Sequence, residues 1–144
     1  MAVQFLGDWQ RMFRWLDELP DRLDGLLEDI RDEALEHLAE RAKARILGKA
    51  VRPPNAPSTV RRKGFNWPLV ETGEYVNMIG VYGSGEDKWA GLPDGVHAPS
   101  GLSYSVLWRI HTFGVGRIPP RSHFTTSDAL AIVRRRLRAA GLVV

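Results

Sequence analysis

The chain has no cysteine, which removes disulfides, thiolate zinc sites and cysteine nucleophiles together. It also has no apolar run near the roughly 20 residues needed to span a bilayer. Its first 20 residues mix acids with a helical period, unlike a signal peptide. The expectation is a soluble protein kept in a cytosol, with no membrane partner. Catalytic signatures are missing as well. There is no G-x-S-x-G nucleophile elbow, and Gly114 and Gly116 lack the Lys-Ser or Lys-Thr that follows a phosphate loop. His97, His111 and His123 stand 14 and 12 apart with no H-E-x-x-H or comparable pattern joining them, so neither metal nor cofactor is expected. Glu71 and Glu74 are neighbouring carboxylates with nothing to set one as acid and the other as base. The residues read as a protein that is not an enzyme.

What is present suits one domain over 1–144, with 44% apolar and 26% charged residues. The net charge of +3 hides a division. Residues 1–48 hold 7 Lys or Arg against 11 Asp or Glu, and the remainder holds 13 against 6. Chance drift of surface charge gives such a split, and so does an assembly that sets one end of a copy against the other end of the next.

Phe5, Leu6, Trp9, Met12, Phe13, Leu16 and Leu19 recur at helical spacing and predict an N-terminal helix over 1–19. Its mixture of Asp8, Asp17 and Glu18 with Arg11 and Arg14 favours packing on the next helix over lying on a membrane. Pro20, with Asp21 and Asp24, marks the start of a long helix over 20–48. Leu23, Leu27, Ile30, Ala34, Leu38, Ala42 and Ile46 form its inward face, and Gly48 its stop. Glu28, Asp32, Glu36, Glu40, Arg31, Arg41, Lys43 and Arg45 give it a solvated opposite face.

Residues 49–67 read as an extended basic arm or loop. Pro53, Pro54 and Pro57 hold the backbone extended, and Arg61, Arg62 and Lys63 repel compaction. With Phe65 and Trp67 close by, those three cations are candidates for nucleic-acid contact, phosphate meeting the charges and bases stacking on the rings. A solvated linker whose aromatics tuck onto the core is the alternative.

Residues 68–124 supply a small antiparallel sheet. Thr72 offers a cap for a turn or two of helix through Val76 and Ile79, while Ile79–Tyr82 equally serves as a strand with Lys88–Leu92 returning beside it. Leu102, Tyr104, Val106, Trp108 and Ile110 alternate with Ser103, Ser105, Leu107, Arg109 and His111, a period of two that predicts an extended segment. Leu102, Val106 and Ile110 also fall four apart, which leaves a short helix as the alternative. Two glycines and two prolines between Gly114 and Pro120 then force the chain across the surface.

A last helix is predicted within 125–141, with Thr126, Ser127 and Asp128 as caps and Gly141 as its stop. Its apolar line is Leu130, Val133, Leu137 and Ala140. Arg134, Arg135, Arg136 and Arg138 sit near its negative end, and Arg134, Arg135 and Arg138 join the nucleic-acid candidates. The expected class is α+β: N-terminal helices, a small antiparallel sheet, a C-terminal helix.

Four motifs in order carry a resemblance. They are Leu69-Val70-Glu71-Thr72-Gly73-Glu74, then Trp89-Ala90-Gly91-Leu92, then Tyr104 with His111-Thr112-Phe113-Gly114, then Ile118-Pro119-Pro120-Arg121-Ser122-His123-Phe124. Over roughly 21–140 the chain resembles the tail-completion and virion-morphogenesis (neck) proteins of tailed bacteriophages. Ser122 and His123 stand where that family usually has Pro after the Arg. The resemblance implies a structural virion protein without catalysis, assembled in the host bacterial cytoplasm as a homo-oligomeric ring where tail meets head. Its partners would be its own copies, a connector, tail terminator or tail tube, and DNA in the bore. Phe113, Gly114, Arg117, Arg121, His123 and Phe124 are the expected subunit contacts, with Arg121 anchoring a carboxylate or backbone carbonyls of a neighbour and Phe124 as an apolar plug; the equal alternative is that Phe124 is core and Arg121 caps the loop within its own chain.

Overall fold

The computed structural model describes residues 9–142. The expected contacts of Phe5, Leu6, Trp9, Met12 and Phe13 fall outside the described residues and side chains. The protein is α+β. Helix α1 (Trp9–Leu47) leads to α2 (Pro57–Lys63) and α3 (Glu74–Asn77). Strands β1 (Gly80–Tyr82) and β2 (Trp89–Gly91), then β3 (Val96–His97) and β4 (Leu102–Ser103), form two antiparallel ribbons. Helices α4 (Tyr104–Phe113) and α5 (Thr126–Ala139) follow.

The two expected N-terminal helices are one. Pro20 lies inside α1. A proline ring fits helical φ, but it lacks the N–H and crowds the carbonyl four residues back, at a cost of about 3 kcal/mol. Water can satisfy the freed carbonyl here, because no described residue between 14 and 29 is buried. Leu16 and Leu19 therefore share a rod with Leu23 and cannot fold back on it. The rod turns inward only from Ile30, through Ala34, Ala39, Ala42 and Ile46, whereas Leu27 is 54% exposed. Gly48 follows the last helical residue as expected, but the left-handed position is Lys49, at φ 56°. Ala50 N–H donates to Arg45 O (2.8 Å) and Lys49 N–H to Ile46 O (3.1 Å), closing the helix with a Schellman motif.

The stretch 49–67 is not an open arm. Val51 is buried in the core, α2 forms within it, and Trp67 Nε1 donates to Ile46 O (2.6 Å). The expected hairpin forms between β1 and β2, pairing Gly80 with Gly91, Val81 with Ala90 and Tyr82 with Trp89. The extended reading after Leu102 is overturned at Tyr104, where α4 begins. Ser103 accepts a hydrogen bond from Val106 N–H (3.3 Å) and caps the helix. Tyr104 and Leu107 then fall on one helical face and are buried, so Leu107, the residue that broke the alternation, is the one that packs.

Helix α5 lies against α1, and its expected apolar line is shifted. Leu130 and Ala140 are exposed, and Ile132 is the buried residue. Asp128 does not cap its own helix. Its Oδ1 accepts from Arg45 Nη2 (2.9 Å), with Arg45 Nη1 2.6 Å from Oδ2, so Arg45 turns toward α5 and away from solvent. Asp32 likewise leaves the solvated face, pairing with Lys88 at 2.6 Å. That arginine holds the Asp128 carboxyl below its usual range.

The core is Ala39, Ala42, Ile46, Val51, Tyr75, Val76, Ile79, Tyr104 and Leu107. Ile46→Ala, at a site 0% exposed, is expected to cost about 2–5 kcal/mol in urea denaturation. Leu27→Ala should stay within about 0.5 kcal/mol of the parent. Equal losses would place the packing elsewhere on α1.

Candidate subunit-contact surface

Helix α4 ends at Gly114, whose φ of 74° and close approach to Ile118 O leave no room for a side chain: a Cβ there would sit 2.7 Å from that oxygen. The chain then makes a tight turn. Val115 N–H donates to Ile118 O (3.0 Å) and Ile118 N–H to Val115 O (2.9 Å). This closed turn carries Phe113, Val115 and Ile118, which are 69%, 58% and 46% exposed. Phe113 meets Trp108 edge to face at 6.0 Å, and Arg117 is exposed at the tip.

The crossing after the turn faces inward. Arg121 is buried, and its Nε and Nη2 donate to Pro53 O (2.8 Å) and Pro54 O (3.0 Å). It finds the backbone carbonyls expected of it, but they belong to its own chain. His123 is buried too, with Nε2 3.1 Å from the Tyr75 hydroxyl and Nδ1 3.3 Å from Arg121 O. A carbonyl only accepts, so Nδ1 carries the proton, and Nε2 accepts from Tyr75. Phe124 lies at 4.9 Å from His123, half-buried against the core. Of the six expected contact residues, Phe113, Gly114 and Arg117 are grouped on the turn, while Arg121, His123 and Phe124 hold it from beneath.

The histidines gather around Tyr75. The rings of His111 and His123 lie 5.1 and 5.7 Å from its ring. His97 stands apart, against Tyr104. Among the described residues no group of three or more His, Asp or Glu is placed to hold a metal. Glu71 and Glu74 have separate partners. Glu71 pairs with Arg62 at 2.8 Å. Glu74 accepts from the Tyr104 hydroxyl (2.8 Å) and from Ala98 N–H (3.1 Å), which holds its carboxyl below the usual range. Burial, with Glu74 second, pushes the Tyr104 hydroxyl up to about 12.

The expected nucleic-acid residues are scattered in use. Arg62 is taken by Glu71, Lys63 by the carbonyls of Trp67 and Val70, and Arg135 by Glu33. Burial lowers the Lys63 pKa. Arg61, Arg134 and Arg138 are exposed and carry no ion pair among the described residues.

One feature had no sequence signal. An apolar groove of about 430 Å³ opens between α1, β2 and α4, lined chiefly by Leu38, Trp89, Leu92, Trp108 and Phe124. These residues are far apart in the chain, and only the tertiary fold brings them together.

Comparison with protein-family models, with curated proteins and with solved structures finds no match for this chain. The phage-neck resemblance thus rests on its motifs alone.

Two predictions follow from the buried crossing. Burial first, then His123 and Arg121, pushes the His111 pKa down to about 4, and burial lowers that of His123 also. His111 stays neutral in the fold well below the ordinary histidine value of 6.5 at which it titrates when unfolded, and burial shifts His123 in the same direction. The unfolded chain therefore binds more protons below that pH. Stability complete above pH 6.5 should be lost as pH falls toward 4, by about 3 kcal/mol from His111. Urea midpoints across that range check this; a flat profile would contradict it, and His111→Phe should flatten the parent's slope. Separately, Arg121→Lys, which cannot span both proline carbonyls, should lower stability by about 1–3 kcal/mol. A thermal melt at neutral pH measures it.

Proposed function

We propose that this chain is a structural virion protein of a tailed phage, forming a ring at the neck or tail-completion position that joins head and tail. The observation that carries the reading is the turn from Phe113 to Ile118. It is closed by its own hydrogen bonds, yet it presents three large apolar side chains to water. Such a grouping gains most when another surface covers it, and a turn already ordered costs little entropy to dock. The turn also joins the His111–Gly114 and Ile118–Phe124 motifs that carry the resemblance. The reading includes neighbouring neck and tail proteins as partners, DNA in the bore, and no catalytic step.

The test is mass in solution by size exclusion with light scattering. The unaltered chain should give a ring of definite stoichiometry. Phe113→Ser with Val115→Ser, both on exposed positions, should shift it to single folded chains with the denaturation midpoint unchanged. An unaltered chain that stays single at high concentration overturns the reading. If that single chain shifts DNA with a steep salt dependence, the protein is a basic nucleic-acid module using Arg61, Arg134 and Arg138.

A further inference from the structure

A cleft of about 320 Å³ opens where the end of α2, residues 69–73, the second half of α4 and the turn beyond it meet. Four cations stand on its wall, Arg62, Lys63, Arg117 and Arg121, against one carboxylate, Glu71. Glu71 pairs with Arg62 at 2.8 Å, so that charge is already matched. The other three cations are in no ion pair among the described residues.

The hydrogen-bond partners of the two inner cations are neutral. Arg121, only 9% exposed, donates to the carbonyls of Pro53 and Pro54, and Lys63 to those of Trp67 and Val70. Carbonyls satisfy N–H groups but leave the net charge in place, and a charge drawn out of water is stabilised by an opposite one. The cations also share one field. Burial first lowers the Lys63 pKa, Glu71 pulls it back, and Arg62 and Arg121 lower it again. Glu74, one residue past Gly73 on the wall, is committed elsewhere, accepting from the Tyr104 hydroxyl and Ala98 N–H. His111, also on the wall, is kept neutral by burial.

We propose that this cleft binds a small organic phosphate monoester, whose phosphate answers the unmatched charge of Lys63, Arg117 and Arg121. Charge selects phosphate over carboxylate. A carboxylate brings one negative charge to three unmatched cations, whereas a phosphate monoester brings about −1.5 to −2 at pH 7. Geometry agrees with this at Arg121, whose Nε and Nη2 are used on carbonyls and leave no Nε–Nη2 fork for a planar carboxylate. Size selects a small molecule, since the volume stands at the lower end of ligand sites. Leu69, Val70, Leu107 and Ile118 supply apolar wall for its organic part. Every lining residue belongs to one chain, so the inference goes beyond the ring reading and does not rest on it.

The experiment is calorimetric titration of the full chain at neutral pH and constant ionic strength. Its probes are phenyl phosphate and benzoate, which share a ring and differ in the anion. The chain is used unaltered, as Glu71→Gln and as Arg117→Gln, both at exposed positions, with urea midpoints to check that each variant is folded. Phenyl phosphate should saturate one site per chain, with benzoate about tenfold weaker or more. Removing the one carboxylate from the wall by Glu71→Gln should tighten phenyl phosphate about threefold, and Arg117→Gln should weaken it about threefold. A cluster that serves the fold alone predicts neither change. No saturable heat, benzoate as tight as phenyl phosphate, or an affinity that neither substitution moves overturns the proposal. The ring reading, tested by mass in solution, stands or falls separately.

Discussion

The irregular half of the molecule hangs on Arg121. Its guanidinium joins the carbonyls of Pro53 and Pro54. Its own N–H donates to His111 O, and its own carbonyl accepts from His123 Nδ1. Through one residue the segment after α1, the end of α4 and the approach to α5 are tied to the Tyr75 cluster. Carbonyls flanking prolines lie in a stretch with few backbone donors, since proline has no N–H to give. A planar fork of donors satisfies two at once, and the charge-assisted bonds offset the cost of taking a guanidinium out of water.

What that tie fixes is a direction. With Arg121 and His123 held inward, the chain between Gly114 and Pro120 has one way to run, and Phe113, Val115 and Ile118 project from it. Gly114 completes the constraint, because Ile118 O occupies the space a side chain would take. The inward residues set the geometry, and Phe113, Val115 and Ile118 are left exposed on the outside of the turn. A surface fixed in advance loses little freedom on association, which is the physical advantage of spending buried polar groups on a loop.

The periodic parts of this structure were legible in the sequence. The β1–β2 hairpin and the inward positions Ile30, Ala34, Ala42 and Ile46 follow from hydrophobic spacing and turn residues, and the bounds of the last helix follow from its caps and Gly141, although its buried residue, Ile132, lay off the expected line. The failures have local causes. Pro20 looked like a helix start because proline is favoured in the first turn, where no helical carbonyl four residues back is crowded or left unbonded; the exposed rod here tolerates both penalties. Helix α4 carried both periods, and the Ser103 cap together with burial of Leu107 decided between them. Arg121 and His123 were recognisable as special residues, but whether their partners lay inside or outside the chain depended on where Pro53, Pro54 and Tyr75 came to rest. Spacing along the chain holds no information on that. The groove between Trp89 and Trp108 was invisible for the same reason.

The first half of α1 poses the remaining energetic question, and its composition answers it. A helical segment without tertiary contacts depends on intrinsic propensity, and few such segments are stable alone. This one contains Pro20 and Gly25, which cost about 3 and about 1 kcal/mol relative to alanine in a helix interior. It also holds six carboxylates against two arginines, with Glu18–Arg22 the exposed pair within it that relieves the repulsion.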